Sequence, residues 1–197
     1  MRLKKMIILS SAALLALTTG AMAHSGHGVM SDVTHGFMHP FGGLDHVIAM
    51  VAVGVLAAHL GGRATYLVPA AFILAMVAGG GAGYFGGVLP AVEQGIGLSV
   101  VALGMAVALG VRLPLPLSTT LVALFAVFHG NAHGAEGVNA AAFLPYALGF
   151  VVATTLLHLA GLGLGRVLDA RGAAVAVNLK RFIGASGALA GIVLLAS

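Results

Sequence analysis

The sequence predicts an all-α membrane protein, with six transmembrane helices after a cleaved signal peptide and both mature termini outside. Three observations carry that expectation. The 197 residues are 60% hydrophobic and 7% charged, with a mean hydropathy of +1.10, too little charge to cover a water-exposed surface. The apolar residues fall in runs long enough to cross a bilayer, separated by glycine, proline or charge. The basic residues then gather on one side of the topology those runs define.

Residues 1–23 read as a secretory signal. Arg2, Lys4 and Lys5 form a basic start, Met6 to Leu17 an apolar run of about 12 residues, and Ala21-Met22-Ala23 a small-residue cleavage site. An uncleaved first span is the competing reading, and that run is short for one. Cleavage leaves His24 at the mature N-terminus, residues 24–36 as a histidine-containing extracytoplasmic tail and residues 37–197 as the transmembrane domain.

Six spans are expected at 37–59, 65–84, 92–111, 115–134, 140–163 and 180–197. Helix is the form that fits such lengths, and the alternation of a membrane barrel is missing. With the N-terminus outside, the inner loops follow the first, third and fifth spans. The basic residues beyond the signal, Arg63, Arg112, Arg166, Arg171, Lys180 and Arg181, all lie in or beside those loops. This bias orients the chain in a bacterial cytoplasmic membrane. Thirty glycines, including the Gly79-Gly80-Gly81-Ala82-Gly83 run, fit close helix–helix approach in lipid. Pro69 and Pro145 occupy corresponding places in the second and fifth spans, which fits two three-helix halves of opposite orientation.

Several functions are excluded. There is no cysteine, hence no thiolate metal site or thiol catalysis, and no phosphate-binding loop for ATP. The pI near 10.0 comes from a few scattered basic residues, so nucleic acid is not an expected partner; the lipid bilayer is.

Ionisable residues inside spans are costly, at least about 2.5 kcal/mol each at the bilayer centre, and so mark function. The first span opens with His39-Pro40-Phe41-Gly42-Gly43-Leu44-Asp45-His46. Pro40 suits a first helical turn, and Gly42-Gly43 leaves the backbone free to bend. In a continuous helix His39 and His46 share a face, with Asp45 beside them. The fourth span ends in Phe128-His129-Gly130-Asn131-Ala132-His133-Gly134-Ala135-Glu136. There His129 and His133 stand one turn apart, near a helix C-terminus whose dipole favours a cation. Topology brings both motifs, and Glu93 of the third span, to the outer half of the membrane. Imidazole with carboxylate suits a first-row divalent ion, so His39, Asp45, His46, Glu93, His129, His133 and Glu136 form the expected metal site. His59 and His158 are weaker candidates for an exit relay. His24, His27 and His35 are weaker candidates for a collecting arm.

Residues and spacing together resemble the HupE/UreJ family. The His39-Pro40-x-x-Gly43-x-Asp45-His46 motif is similar to that family's first signature, and Phe128-His129-Gly130-x-Ala132-His133-Gly134-x-Glu136 to its second. Leu89-Pro90-x-x-Glu93, followed by Ser99, is similar to the segment before its third span. The family commonly continues the second motif with a proline, where this chain has Gly137-Val138. The resemblance covers the whole mature chain. It implies a secondary permease for nickel or cobalt, with a functional link to maturation of nickel enzymes.

The expected mechanism is exchange of hydration water for neutral imidazole and carboxylate, with Glu93 and Glu136 attracting the ion. The ligands must be deprotonated, so acid weakens binding. A negative interior stabilises an inward elementary charge by about 2.3 kcal/mol per 100 mV, roughly twice that for a divalent ion. No tightly bound cofactor is expected; Ni²⁺ or Co²⁺ is substrate. The donor set argues against Cu(I), Mg²⁺ and Ca²⁺ but leaves zinc and ferrous iron open, with only the resemblance favouring nickel and cobalt. A membrane-embedded metalloenzyme retaining a zinc-type ion is the main rival, with Glu93 or Glu136 as base. A passive membrane subunit is a third reading, and homo-oligomerisation is left open.

Overall fold

Long apolar runs with no aqueous partner for their backbone amides must satisfy them within the chain, and helices do so. The computed structural model describes residues 33–135, 140–171 and 173–196. Among them the secondary structure is helical throughout: α1 (Val33–Gly42), α2 (Leu44–Leu60), α3 (Ala64–Tyr84), α4 (Val92–Leu109), α5 (Leu115–Ala135), α6 (Ala140–Asp169) and α7 (Ala173–Ala196). Helices α3 to α7 are each long and apolar enough to cross a membrane, and α1 with α2 makes a sixth, broken span. The signal segment, with His24 and His27, lies outside the described residues, as does Glu136.

The first span departs most from expectation. It is not one helix: α1 and α2 meet at Gly43 with an 87° bend. Helix α1 starts at Val33, so Pro40 sits in its last turn, not in a first turn. Proline withholds the amide that would continue the ladder, and Gly43, extended at φ −115° and ψ 124°, turns the chain before α2 starts. A Cβ at Gly43 would come within 2.5 Å of Asp45 Oδ1 and 2.9 Å of His46 Nδ1, so a larger residue there would displace that pair. The last two helices run further than hydropathy alone indicates, to Asp169 in α6 and from Ala173 in α7. The Lys180 ammonium bonds the Asp169 carboxylate at 2.5 Å, which ties α6 to α7 where the charged residues gather.

Three helix pairs dominate the packing: α3 with α5, α4 with α7, and α2 together with α1 against α6. Exchanging the first three spans for the last three maps this set of pairs onto itself, the relation expected of two inverted halves. Each pair is closed by facing glycines. A Cβ on Gly130 would overlap the Met76 carbonyl, one on Gly54 the His158 carbonyl, and one on Gly104 the backbone of α7. Without a hydrophobic drive between helices in lipid, such backbone contact supplies the association. Large apolar side chains face outward, among them Leu74 (71% exposed) and Leu144 (65%), while Phe72, Met50 and Val53 are wholly buried. An exposed apolar belt of this kind faces lipid.

The bundle has a histidine end and a basic end. The basic end carries Arg63, Arg112, Arg166 and Arg171 beside the α2–α3, α4–α5 and α6–α7 connections. There Gly110 caps α4 at φ 61°, with the Val111 amide returning to the Ala106 carbonyl in a Schellman closure. The freed Gly110 carbonyl accepts a hydrogen bond from His59 Nε2 at 3.0 Å, joining α2 to α4.

Candidate metal site

Four imidazoles meet at the histidine end, one from α1, one from α2 and two from α5. His133 is central: its ring centroid lies 4.4 Å from His39 and 4.5 Å from His46. His46 in turn lies 5.0 Å from His129. His46, His129 and His133 are buried, at 7%, 0% and 7% exposure. His39 and His46 come together through the bend, not through a shared helix face: the sharp turn at Gly43 lays α1 against α6 and returns His39 to within 6.4 Å of His46. Gly36 and Gly149 allow that approach, since a Cβ on either would strike the backbone of the opposite helix.

Hydrogen bonds fix how two of these rings are presented. His46 Nδ1–H donates to Asp45 Oδ1 at 3.0 Å, which leaves the Nε2 lone pair directed inward. That nitrogen faces His133 Nε2 at 2.5 Å, closer than an ordinary N–H···N bond. One ring therefore gives its N–H to the lone pair of the other, and a metal ion could enter only after the two nitrogens move apart. The Ser99 hydroxyl donates to the Ile96 carbonyl at 2.6 Å, so its oxygen accepts Nε2–H of His129 at 2.8 Å. His129 Nδ1 is then the bare nitrogen, buried and without a hydrogen-bond partner. Asp45 and Ser99 thus orient the imidazoles from behind, the arrangement that raises ligand basicity in metal sites. As the side chains stand, no group of three His, Asp or Glu among the described residues converges to hold an ion. Closing a coordination shell needs ring rotation.

The other expected residues are spread around this cluster. Glu93 is exposed in the first turn of α4, two turns before Ser99, and has no hydrogen-bond or ion-pair partner among the described residues. His35 lies on α1 with its ring 6.0 Å from His39 and 5.6 Å from Tyr146. His59 is engaged at the basic end by Gly110. His158 is buried on α6.

Sequence reasoning missed three contributors. Phe150 packs against the His133 and His39 rings, at 4.7 and 5.8 Å, and Tyr146 against His39 at 5.7 Å. Asn131, wholly buried between the two α5 histidines, accepts the Leu89 amide at 2.8 Å. Its amide group donates to Gly87 at 2.8 Å and Gly79 at 3.4 Å. These bonds brace the loop that leads through Ala91, held at a left-handed φ of 55°, to Glu93. A buried amide between two motif histidines was the available signal. Asn131→Ala is expected to leave these backbone groups unpaired at a cost of about 1–3 kcal/mol. Limited proteolysis should show faster cleavage between Phe85 and Val88.

These features define a multi-pass helical membrane protein with a buried imidazole cluster near one end of its bundle. The chain belongs to the HupE/UreJ family: the family described as HupE / UreJ protein matches residues 12–194. It is similar to Protein HupE of Rhizobium leguminosarum bv. viciae, 42% identical over 183 residues that cover 92% of this chain and 94% of that protein. No solved structure matches the chain.

Proposed function

We propose that this protein is a secondary permease that carries a divalent transition-metal ion, nickel or cobalt, through its imidazole cluster into the cytoplasm. The observation that carries the reading is the meeting of His39, His46, His129 and His133 from three helices, with His46 oriented by Asp45 and His129 by Ser99. Buried imidazoles in a lipid-embedded bundle are costly, and a cation held by several of them, once the His46 and His133 rings turn apart to receive it, offsets that cost. Family membership supports the choice of nickel and cobalt among first-row ions.

The histidine end faces outward in this reading, because the basic residues of the opposite end favour the cytoplasmic side. Exposed Glu93 attracts the hydrated ion. The ion exchanges water for the inward nitrogens, and the membrane potential drives it onward without ATP. A site that needs ring rotation to close also opens again, as conduction requires. The cavity that reaches His133 measures about 140 Å³ between α3, α5 and α6 and is lined mainly by apolar side chains.

Asp45→Asn is expected to weaken nickel binding by about 10–100-fold, because the amide no longer fixes and polarises His46 as the carboxylate does. Titration of the purified chain in detergent measures this. The permease reading is tested in cells: radiolabelled nickel uptake, with cobalt as competitor, by the wild type and by His129→Ala/His133→Ala at matched membrane abundance. Uptake that depends on the two histidines supports it; abundant wild-type protein with no uptake of either metal refutes it.

A further inference from the structure

Histidines that only pack helices together in this bundle give their ring N–H to an oxygen, as His59 does to the Gly110 carbonyl. Even His129, a member of the imidazole cluster, gives one ring N–H to the Ser99 hydroxyl. His158 does neither. It is 2% exposed on α6, and both its Nδ1 and its Nε2 lack a hydrogen-bond partner. Buried polar atoms are nearly always paired, so two bare nitrogens on one buried ring call for an explanation. Phenylalanine or leucine would fill the same space without that desolvation.

The surroundings indicate what the ring receives. Phe72 of α3 stands edge-on to His158, with centroids 5.1 Å apart and planes at 86°. The same Phe72 ring lies 5.8 Å from His129, so a single aromatic ring separates the cluster from His158. One turn before His158 is wholly buried Thr154, whose hydroxyl is directed at Met76 Sδ, 3.8 Å away. The Thr154 hydroxyl and the Met76 thioether thus meet between α3 and α6 one helical turn from His158, so imidazole nitrogen, hydroxyl and thioether sulfur occur on neighbouring turns. A borderline first-row ion accepts all three, and a hard ion such as Mg²⁺ does not. His158 is also two helical turns, about 12 Å, past Phe150 toward the basic end.

We propose that His158 is a second, inner coordination station for the metal ion, reached from the four-imidazole cluster past the edge of Phe72. The inference rests on the permease reading for its place in a transport path, but the binding site itself can be judged apart from transport. An ion leaving His129 meets another imidazole instead of bare hydrocarbon, and it exchanges one nitrogen ligand for the next before release.

The test uses the full chain in two measurements. First, the His46→Ala/His133→Ala chain, carrying ¹³C-labelled histidine rings in detergent, is titrated with paramagnetic Ni²⁺. The His158 signal is assigned by its loss in His158→Phe. Removing two rings of the cluster weakens the nearby centre that could otherwise broaden His158 through space. Specific broadening of His158 that Mg²⁺ does not reproduce is expected. A signal unchanged at millimolar nickel overturns the proposal. Second, wild type and His158→Phe are compared in proteoliposomes at matched, monodisperse protein content. His158→Phe should bind nickel at the cluster within about threefold of wild type yet import it at least about tenfold more slowly. His158→Gln, which restores a polar donor, should recover part of the rate. Uptake by His158→Phe within about twofold of wild type also overturns the proposal. Broadened His158 in a chain whose wild type imports neither nickel nor cobalt would sink the permease reading while leaving the second metal site standing.

Discussion

His133→Ala is expected to reduce nickel uptake by at least about 100-fold at unchanged membrane abundance. Changing a group behind a metal ligand commonly costs 10–100-fold, and His133 is itself the ring against which His39 and His46 are placed. Its removal leaves His46 Nε2 facing a void and separates α1 from α5 within the cluster. His46→Ala should match it, because His46 joins the Asp45 carboxylate to the His133 and His129 rings. Tyr146→Phe, at a ring that packs on His39 beside the cluster, should cost far less. Initial rates of radiolabelled uptake, normalised to protein in the membrane, separate these cases.

Gly130→Val is expected to disable the protein by a different route. A Cβ at residue 130 would overlap the Met76 carbonyl, and one at residue 134 the Gly80 carbonyl, so α5 cannot keep its distance from α3 with any side chain there. Backbone cannot swing aside as a flexible side chain can, so overpacking of about 1–3 kcal/mol or more follows. The apparent melting temperature should fall by roughly 5–10 °C, read by size exclusion after heating. Because Gly130 adjoins His129, forced separation of α3 from α5 should also displace both α5 histidines and abolish uptake in the folded fraction. Gly163→Ala adds a Cβ with no neighbouring atom within 4 Å and should leave both properties intact.

These two predictions show what the sequence could and could not reveal. The helix ends of α3, α4 and α5 follow from hydropathy to within two residues, because the bilayer sets their length and glycine or proline stops them. The His129/His133 pair was legible because an i, i+4 spacing on a helix fixes its own geometry. The His39/His46 pair was named for the wrong reason. Seven residues in a straight helix share a face, whereas these two meet through an 87° turn that Pro40 and Gly43 make possible. Local residues permitted the bend, but packing of α1 on α6 through Gly36 and Gly149 determines its direction.

Partner choice was less legible still. Nothing in the spacing pairs Ser99 with His129 or Asn131 with the loop at Leu89, because those contacts depend on which helices become neighbours. The same holds for the division of labour among the candidates. Asp45 is adjacent to His46 and bonded to it, Glu93 is exposed in the first turn of α4, and His59 serves a helix cap. Sequence offered Asp45 and Glu93 for the metal site and His59 as a weaker candidate for an exit relay. Helix packing assigns them different environments, and the chemistry open to each follows from that.

In the proposed function a divalent ion crosses the membrane through these imidazoles, drawn by the potential without ATP. The most direct measurement is nickel entry into proteoliposomes that contain only this protein, with an inside-negative potentiometric gradient imposed by potassium and valinomycin. Expected are accumulation of nickel by the wild type under the gradient, slower entry to no more than the external concentration without it, and entry reduced to the protein-free rate in His46→Ala/His133→Ala. Wild-type protein, folded and correctly inserted, that admits no more nickel or cobalt than empty vesicles would contradict it. So would a double variant that admits as much as the wild type.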